Sequence, residues 1–139
     1  ETAVMKQKHV GILYLLYFLL FLVDCYATRI SLYSSIGEGY GLAASLSHVL
    51  GACLLYWSQR DARAAGLPVL LQGFYLAFVL FGILGSRLLF SRSHLEGVLL
   101  LFQGKDILPT FLLQLALGTA QLALLWTRCR AMEKAGQEL

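Results

Sequence analysis

GILYLLYFLLFLVDCYATR, residues 11–29, opens with thirteen uncharged residues and reaches its first acid only at Asp24. Its apolar residues do not alternate with a period of two, so it does not read as a strand. A helix crossing a hydrocarbon core of ~30 Å needs roughly 20 mostly apolar residues, because no water is there to satisfy a free backbone N–H or C=O. This segment has that length, and it predicts a transmembrane helix over about 10–28. The whole span over about 10–28 is longer than the ~7–15 residues of a signal-peptide core, and no small-residue cleavage site follows it, so it is expected to remain a span.

The rest of the chain repeats the pattern. Similar apolar runs cover about 40–57, 67–87 and 107–126, and the 139 residues are 58% hydrophobic and only 14% charged, against roughly a quarter charged in soluble domains. The expected fold is all-α, one integral membrane bundle of four transmembrane helices spanning residues 1–139. Pro68 and Pro109 fall in the first turns of the third and fourth spans, where a missing N–H costs no helical hydrogen bond, and Asp106 is a candidate cap for the fourth. The run over 95–104 is too short to cross and is read either as an interfacial segment or as an extension of its neighbours. Residues 127–139 form a tail.

Charge orients the bundle. With four spans, Lys6, Lys8, Arg60, Arg63, Arg128, Arg130 and Lys134 share one side, and Arg29, Arg87, Arg92 and Lys105 the other. Seven against four puts both termini in the cytoplasm by the positive-inside rule. Trp57 and Trp126 end spans on that same side, as interfacial aromatics do. The spread of these charges suits lipid headgroups and does not resemble a nucleic-acid patch.

Asp24 lies about 21 Å along a helix that starts at residue 10, about 9 Å short of the far interface. It reads either as a proton or cation site or as a boundary residue tethered to Thr28 or Arg87, and that shallow depth favours the second reading. His48 in the second span reads as a ligand to haem or metal, as a proton relay, or as a hydrogen-bonding partner of Gln114, Gln121 or a carbonyl. No second His is expected at its depth, which favours the last. Asp24, His48 and Gln72 are the candidate intramembrane polar site.

Helices in lipid meet through small and polar residues. Gly41, Ala44, His48 and Ala52 make such a face on the second span, and Thr110, Gln114, Gly118 and Gln121 on the fourth. Both are expected to be packing or partner interfaces. Tyr14, Tyr17, Phe18 and Phe21 give the first span a bulky face suited to lipid or a large partner. Cys25, Cys53 and Cys129 show no CxxC or metal spacing, and Cys129, just past the last span, is a candidate for lipidation. There is no Asn in the chain and hence no N-glycosylation signal. No Walker A loop, HExxH or GxSxG occurs, so no catalytic residue, cofactor or metal is expected.

The stretches KQKHVGILYLLYFLLFLVDCYATRI, SQRDARAAGLPVLLQGFYLAFVLFGILGSRLL and FLLQLALGTAQLALLW resemble, in order and spacing, the N-terminal accessory membrane domain of multidrug-resistance-associated (C-subfamily) ABC transporters. Lys6, Lys8, Gly11 and Asp24 carry the first part of the likeness, and Arg60, Arg63, Gly66, Phe74 and Tyr75 the second. That domain has five spans, so the four here would correspond to all but its first. The resemblance implies a non-catalytic module that packs against a larger membrane protein and supports its assembly, trafficking or regulation. The rival reading is a small transporter or channel subunit, with Asp24, His48, Gln72, Gln114 and Gln121 on one polar path. A membrane-embedded lipid-modifying enzyme ranks below both. The expected partners are membrane lipids and another integral membrane protein, with no nucleic acid.

Overall fold

The computed structural model describes residues 2–30, 38–83 and 107–138, with side chains over 10–30, 39–61, 63–83 and 108–134. All regular structure among them is helical: α1 (Thr2–Arg29), α2 (Glu38–Arg60), a 3-10 turn (Ala62–Ala65), α3 (Gly66–Ala77) continued by a π-helical turn (Phe78–Ile83), and α4 (Ile107–Glu138). Four of these stretches are long and apolar enough to cross a membrane, Val10–Arg29, Gly39–Arg60, Arg63–Ile83 and Leu108–Lys134. The interfacial segment expected over 95–104, the Asp106 cap and a tether from Asp24 to Arg87 fall outside the described residues.

The helices outrun their apolar runs. α1 starts at Thr2 and α4 continues to Glu138, because the flanking Lys, Gln, Arg, Ala, Met and Glu residues are good helix formers and nothing there breaks the pattern. Between α2 and α3 the connection shrinks to a single corner. Asp61 is extended (φ −131°, ψ 108°) and its Oδ1 accepts from the Arg63 backbone N–H at 3.0 Å, capping the 3-10 turn. Pro68 is the third residue of α3 and Pro109 the third of α4, positions without an intrahelical donor role.

Each helix packs on its neighbours around a ring, α1 on α2, α2 on α3, α3 on α4 and α4 on α1. Pairings such as Thr28 with Gly41 and Tyr17 with Gly51, or Asp24 with Gln114 and Leu13 with Gln121, make adjacent helices antiparallel. The start of α1 and the end of α4 therefore share one end of the bundle, together with the Asp61 corner. Arg60, Arg63, Arg128 and Arg130 gather at this basic end.

Polarity is distributed inside out. Asp24, Ser45, His48, Ser58, Gln72, Thr110, Gln114 and Gln121 are buried, while Leu15, Phe18, Leu42, Leu70, Phe74, Phe81 and Leu112 are more than half exposed. In water such a surface would drive association. Against lipid tails, as apolar as Leu itself, it is the surface a bundle presents, and packing has to come from small and polar groups inside. Two buried apolar clusters bracket the interior, Leu20, Ala27, Ala44, Tyr75, Val79, Ile83 and Phe111 towards the far end, and Leu13, Tyr17, Leu55 and Leu125 towards the basic end.

One expectation about α1 is corrected. Tyr17 is 3% exposed and Tyr14 and Phe21 are half-buried, so of the four aromatics only Phe18 lies open. Gly51 makes this possible: a Cβ there would come within 2.6 Å of Tyr17 Cε1, so α2 accepts the ring only because it presents no side chain. Gly41 works alike, since a Cβ would collide with Thr28 Oγ1. Close approach of α1 and α2 rests on these two glycines.

Candidate intramembrane site

The buried residues of α1, Leu13, Tyr17, Leu20, Asp24 and Ala27, recur at intervals of four and three, the stripe that one helix face presents. Asp24 thus points into the bundle with its neighbours. α2 brings His48 to it and α4 brings Gln114. The carboxylate is held at both oxygens: Oδ2 is hydrogen-bonded to His48 Nε2, and Oδ1 accepts from Gln114 Nε2 at 2.5 Å. α3 closes the fourth side, where the Tyr75 ring meets the imidazole edge-on, with centroids 4.4 Å apart and planes at 72°. Asp24 and Gln114 are 0% exposed and His48 2%. Every helix contributes one wall.

Thr28 does not reach the carboxylate. Its Oγ1 donates to the backbone carbonyl of Asp24 at 2.8 Å, a bond from one helical turn to the next. Gln72, the third member expected at this site, is buried one layer closer to the basic end, where Nε2 donates to the Gly118 carbonyl at 3.0 Å. Gln114 stands in its place. A Cβ at Gly118 would meet Leu76 Cδ2 at 2.6 Å, so glycine lets α3 come close enough for that bond. Beside the Asp24 layer, Ser45 Oγ donates to the Gly41 carbonyl at 3.0 Å, and Cys25 Sγ lies 3.8 Å from Ser45 Oγ.

The α4 face continues towards the basic end. Gln121 Nε2 donates to the Leu13 carbonyl at 3.1 Å, and Tyr17 lies beside the same amide. Neither Tyr17 Oη nor Gln121 Oε1 has a hydrogen-bond partner among the described residues. Below them Leu13, Leu55 and Leu125 form an apolar layer. At the basic end itself, Arg128 donates to Ser58 Oγ at 2.9 Å, and Ser58 Oγ donates to the Leu55 carbonyl at 2.7 Å.

The two small-residue faces lie inside the bundle. Gly41, Ala44 and His48 of α2 are buried and Ala52 is half-buried against the basic-end cluster, while Thr110, Gln114, Gly118 and Gln121 of α4 are all buried. Cys129 is also buried, its thiol 3.9 Å from Glu133 Oε1. Among the described residues no group of three or more His, Cys, Asp or Glu side chains converges as a metal site.

Sequence reasoning grouped Asp24 and His48 in one polar site, with Gln72 as the third member, but did not read the direct contact between them. The signal was depth. His48 lies eight residues into the second span, so a rise of 1.5 Å per residue puts it about 12 Å from the far interface, within one helical turn of the ~9 Å found for Asp24. No protein-family model, curated protein or solved structure matches the chain.

Chemically, the hydrogen-bonded pair offers two bases that can share one proton. When His48 Nδ1 keeps its own hydrogen, a single proton between Oδ2 and Nε2 leaves the pair without net charge whichever atom carries it. A lone ion at this depth would be far costlier. The imidazole has a second nitrogen, so a proton can be taken at one and given at the other.

Proposed function

We propose that the protein is a multi-pass membrane protein of the small transporter or channel-subunit class, with both termini in the cytoplasm, and that it moves protons through the Asp24–His48–Gln114 centre. The observation that carries this reading is an acid and an imidazole buried together inside a bundle whose outer surface is apolar, because ionisable groups within spans are expensive and typically mark ion or proton pathways. Burial of all three side chains narrows the cargo. A metal ion or an organic solute needs a vestibule, whereas a proton needs only a chain of hydrogen bonds. The π-helical turn of α3 begins three residues after Tyr75, and such turns are frequent at functional sites. For the orientation, the support is the basic end, where Trp57 and Trp126 are half-exposed and Arg130 lies over the Trp126 ring at 5.5 Å.

The test is proton influx into liposomes containing the purified chain, driven by a potassium diffusion potential and read with an entrapped pH dye. Wild type should acidify the lumen, and Asp24→Asn and His48→Gln should each slow it by about tenfold or more. Equal rates in wild type and Asp24→Asn would remove the reading.

A second reading keeps the accessory module implied by the resemblance to ABC transporters. Its support is an open groove of 440 Å³ between α1 and α4, lined by Leu22, Val23, Tyr26, Pro109, Thr110 and Leu113. On that reading a larger membrane protein would dock there, since the small-residue faces are occupied within the bundle. Co-purification of a defined membrane partner, lost on Leu22→Trp, would favour it.

A further inference from the structure

Resting on that proton-transfer reading, we propose that Tyr17 and Gln121 form a second proton-handling station, the step between the Asp24 centre and the basic end of the bundle. Gln114, Gly118, Gln121, Leu125 and Arg128 follow one another along α4 at intervals of four, three, four and three residues, so they share a face. Down that face the polar groups are engaged at Gln114, Gly118 and Arg128, and Gln121 keeps one unfilled acceptor. Gln114 serves Asp24 and the Gly118 carbonyl serves Gln72. The next layer, about 10 Å from the centre along the helix axis, is different in kind. There Tyr17 Oη and Gln121 Oε1, on residues 3% and 0% exposed, each lack a hydrogen bond of ordinary geometry among the described residues, with the Gln121 amide lying against Tyr17.

Leaving such a pair unsatisfied is costly, and proteins ordinarily fill or remove it. The two atoms complement a water molecule, which donates to Gln121 Oε1 and either donates to or accepts from Tyr17 Oη, within the two to four partners that a buried water needs. A hydroxyl and a water can each accept a proton on one lone pair while releasing another from the opposite side. A proton therefore crosses the layer with no net charge left on Tyr17 or Gln121 and no redox partner required. The Leu13, Leu55 and Leu125 layer beneath closes the station off from the basic end at Arg128 until it is wetted.

Tyr17→Phe removes one oxygen and keeps the ring against Gly51, and Gln121→Leu removes the amide. In the liposome assay each should lower proton influx by about tenfold, with a deuterium solvent effect larger than in wild type. The infrared carboxyl signal of Asp24 on switching pH should be unchanged in both. Wild-type flux from Tyr17→Phe and Gln121→Leu, in a preparation where Asp24→Asn abolishes flux, would overturn the station and leave the centre standing. Loss of the Asp24 infrared response in Tyr17→Phe would also overturn it, by making the residue structural. Wild-type liposomes that hold their gradient would sink both the station and the function it serves.

Discussion

Asp24 with His48 and Gln114, and Tyr17 with Gln121, are two polar layers of one bundle, about 10 Å apart along α1 and α4. In the first, both carboxylate oxygens are engaged and three helices meet in hydrogen bonds. In the second, one amide N–H reaches the Leu13 carbonyl while Tyr17 Oη and Gln121 Oε1 go without. Burial is nearly identical, so exposure does not separate them. The difference lies in the partners: Asp24 is held by side chains of two other helices, whereas Tyr17 Oη has no direct protein bond of ordinary geometry, and removing one member of a direct buried pair costs more than removing a group held by water.

Substitutions sharpen that contrast. The largest effect belongs to Asp24→Leu, which leaves His48 buried without its acid and should cost about 3–5 kcal/mol, whereas Asp24→Leu combined with His48→Leu should recover most of it, since replacing both members of a buried pair is near neutral. Reversible unfolding in mixed detergent micelles measures both, and a double variant as unstable as the single would break the comparison. Gly51→Val comes next. Its side chain must displace the Tyr17 ring, an overpacking worth roughly 1–3 kcal/mol in the same assay. Gln114→Leu removes one interhelical hydrogen bond and should cost about 0.6–1.7 kcal/mol, the range of such bonds in membranes. Arg130→Ala, losing a cation over an exposed indole, should cost about 0.5–1 kcal/mol. Smallest is Tyr17→Phe, which deletes a hydroxyl with no protein partner and should stay within about 0.5 kcal/mol of wild type. A loss comparable to that of Gln114→Leu would mean that Tyr17 bonds directly to the Gln121 amide beside it.

Four helices, the first-turn prolines and the inward set Thr110, Gln114, Gly118 and Gln121 could all be read from the chain, because length, apolar content and small-residue spacing are local properties. The Asp24–His48 pair could not be read from local properties. Periodicity tells which residues share a face, yet the relative height of two helices comes only from counting rise against a common boundary, and the sequence reading applied that count to Asp24 alone. Tyr17 was misplaced for another reason. In lipid an aromatic residue suits either side of a helix, and its burial depends on Gly51, thirty-four residues away. The π-helical end of α3 carried no signal at all, since FVLFGI is as apolar as an ordinary span.

The Asp61 corner limits how this bundle can rearrange. With only one capped turn between them, α2 and α3 have little slack to slide lengthwise past each other and are tied as a hairpin. An excursion of that hairpin that parted His48 from Asp24 would carry Tyr75 with it and leave the carboxylate with Gln114 as its companion. On the proton-transfer reading, access to the acid would then be a hinge event between two halves of the molecule, and a staple joining α1 to α2 would silence it where one joining α2 to α3 would not.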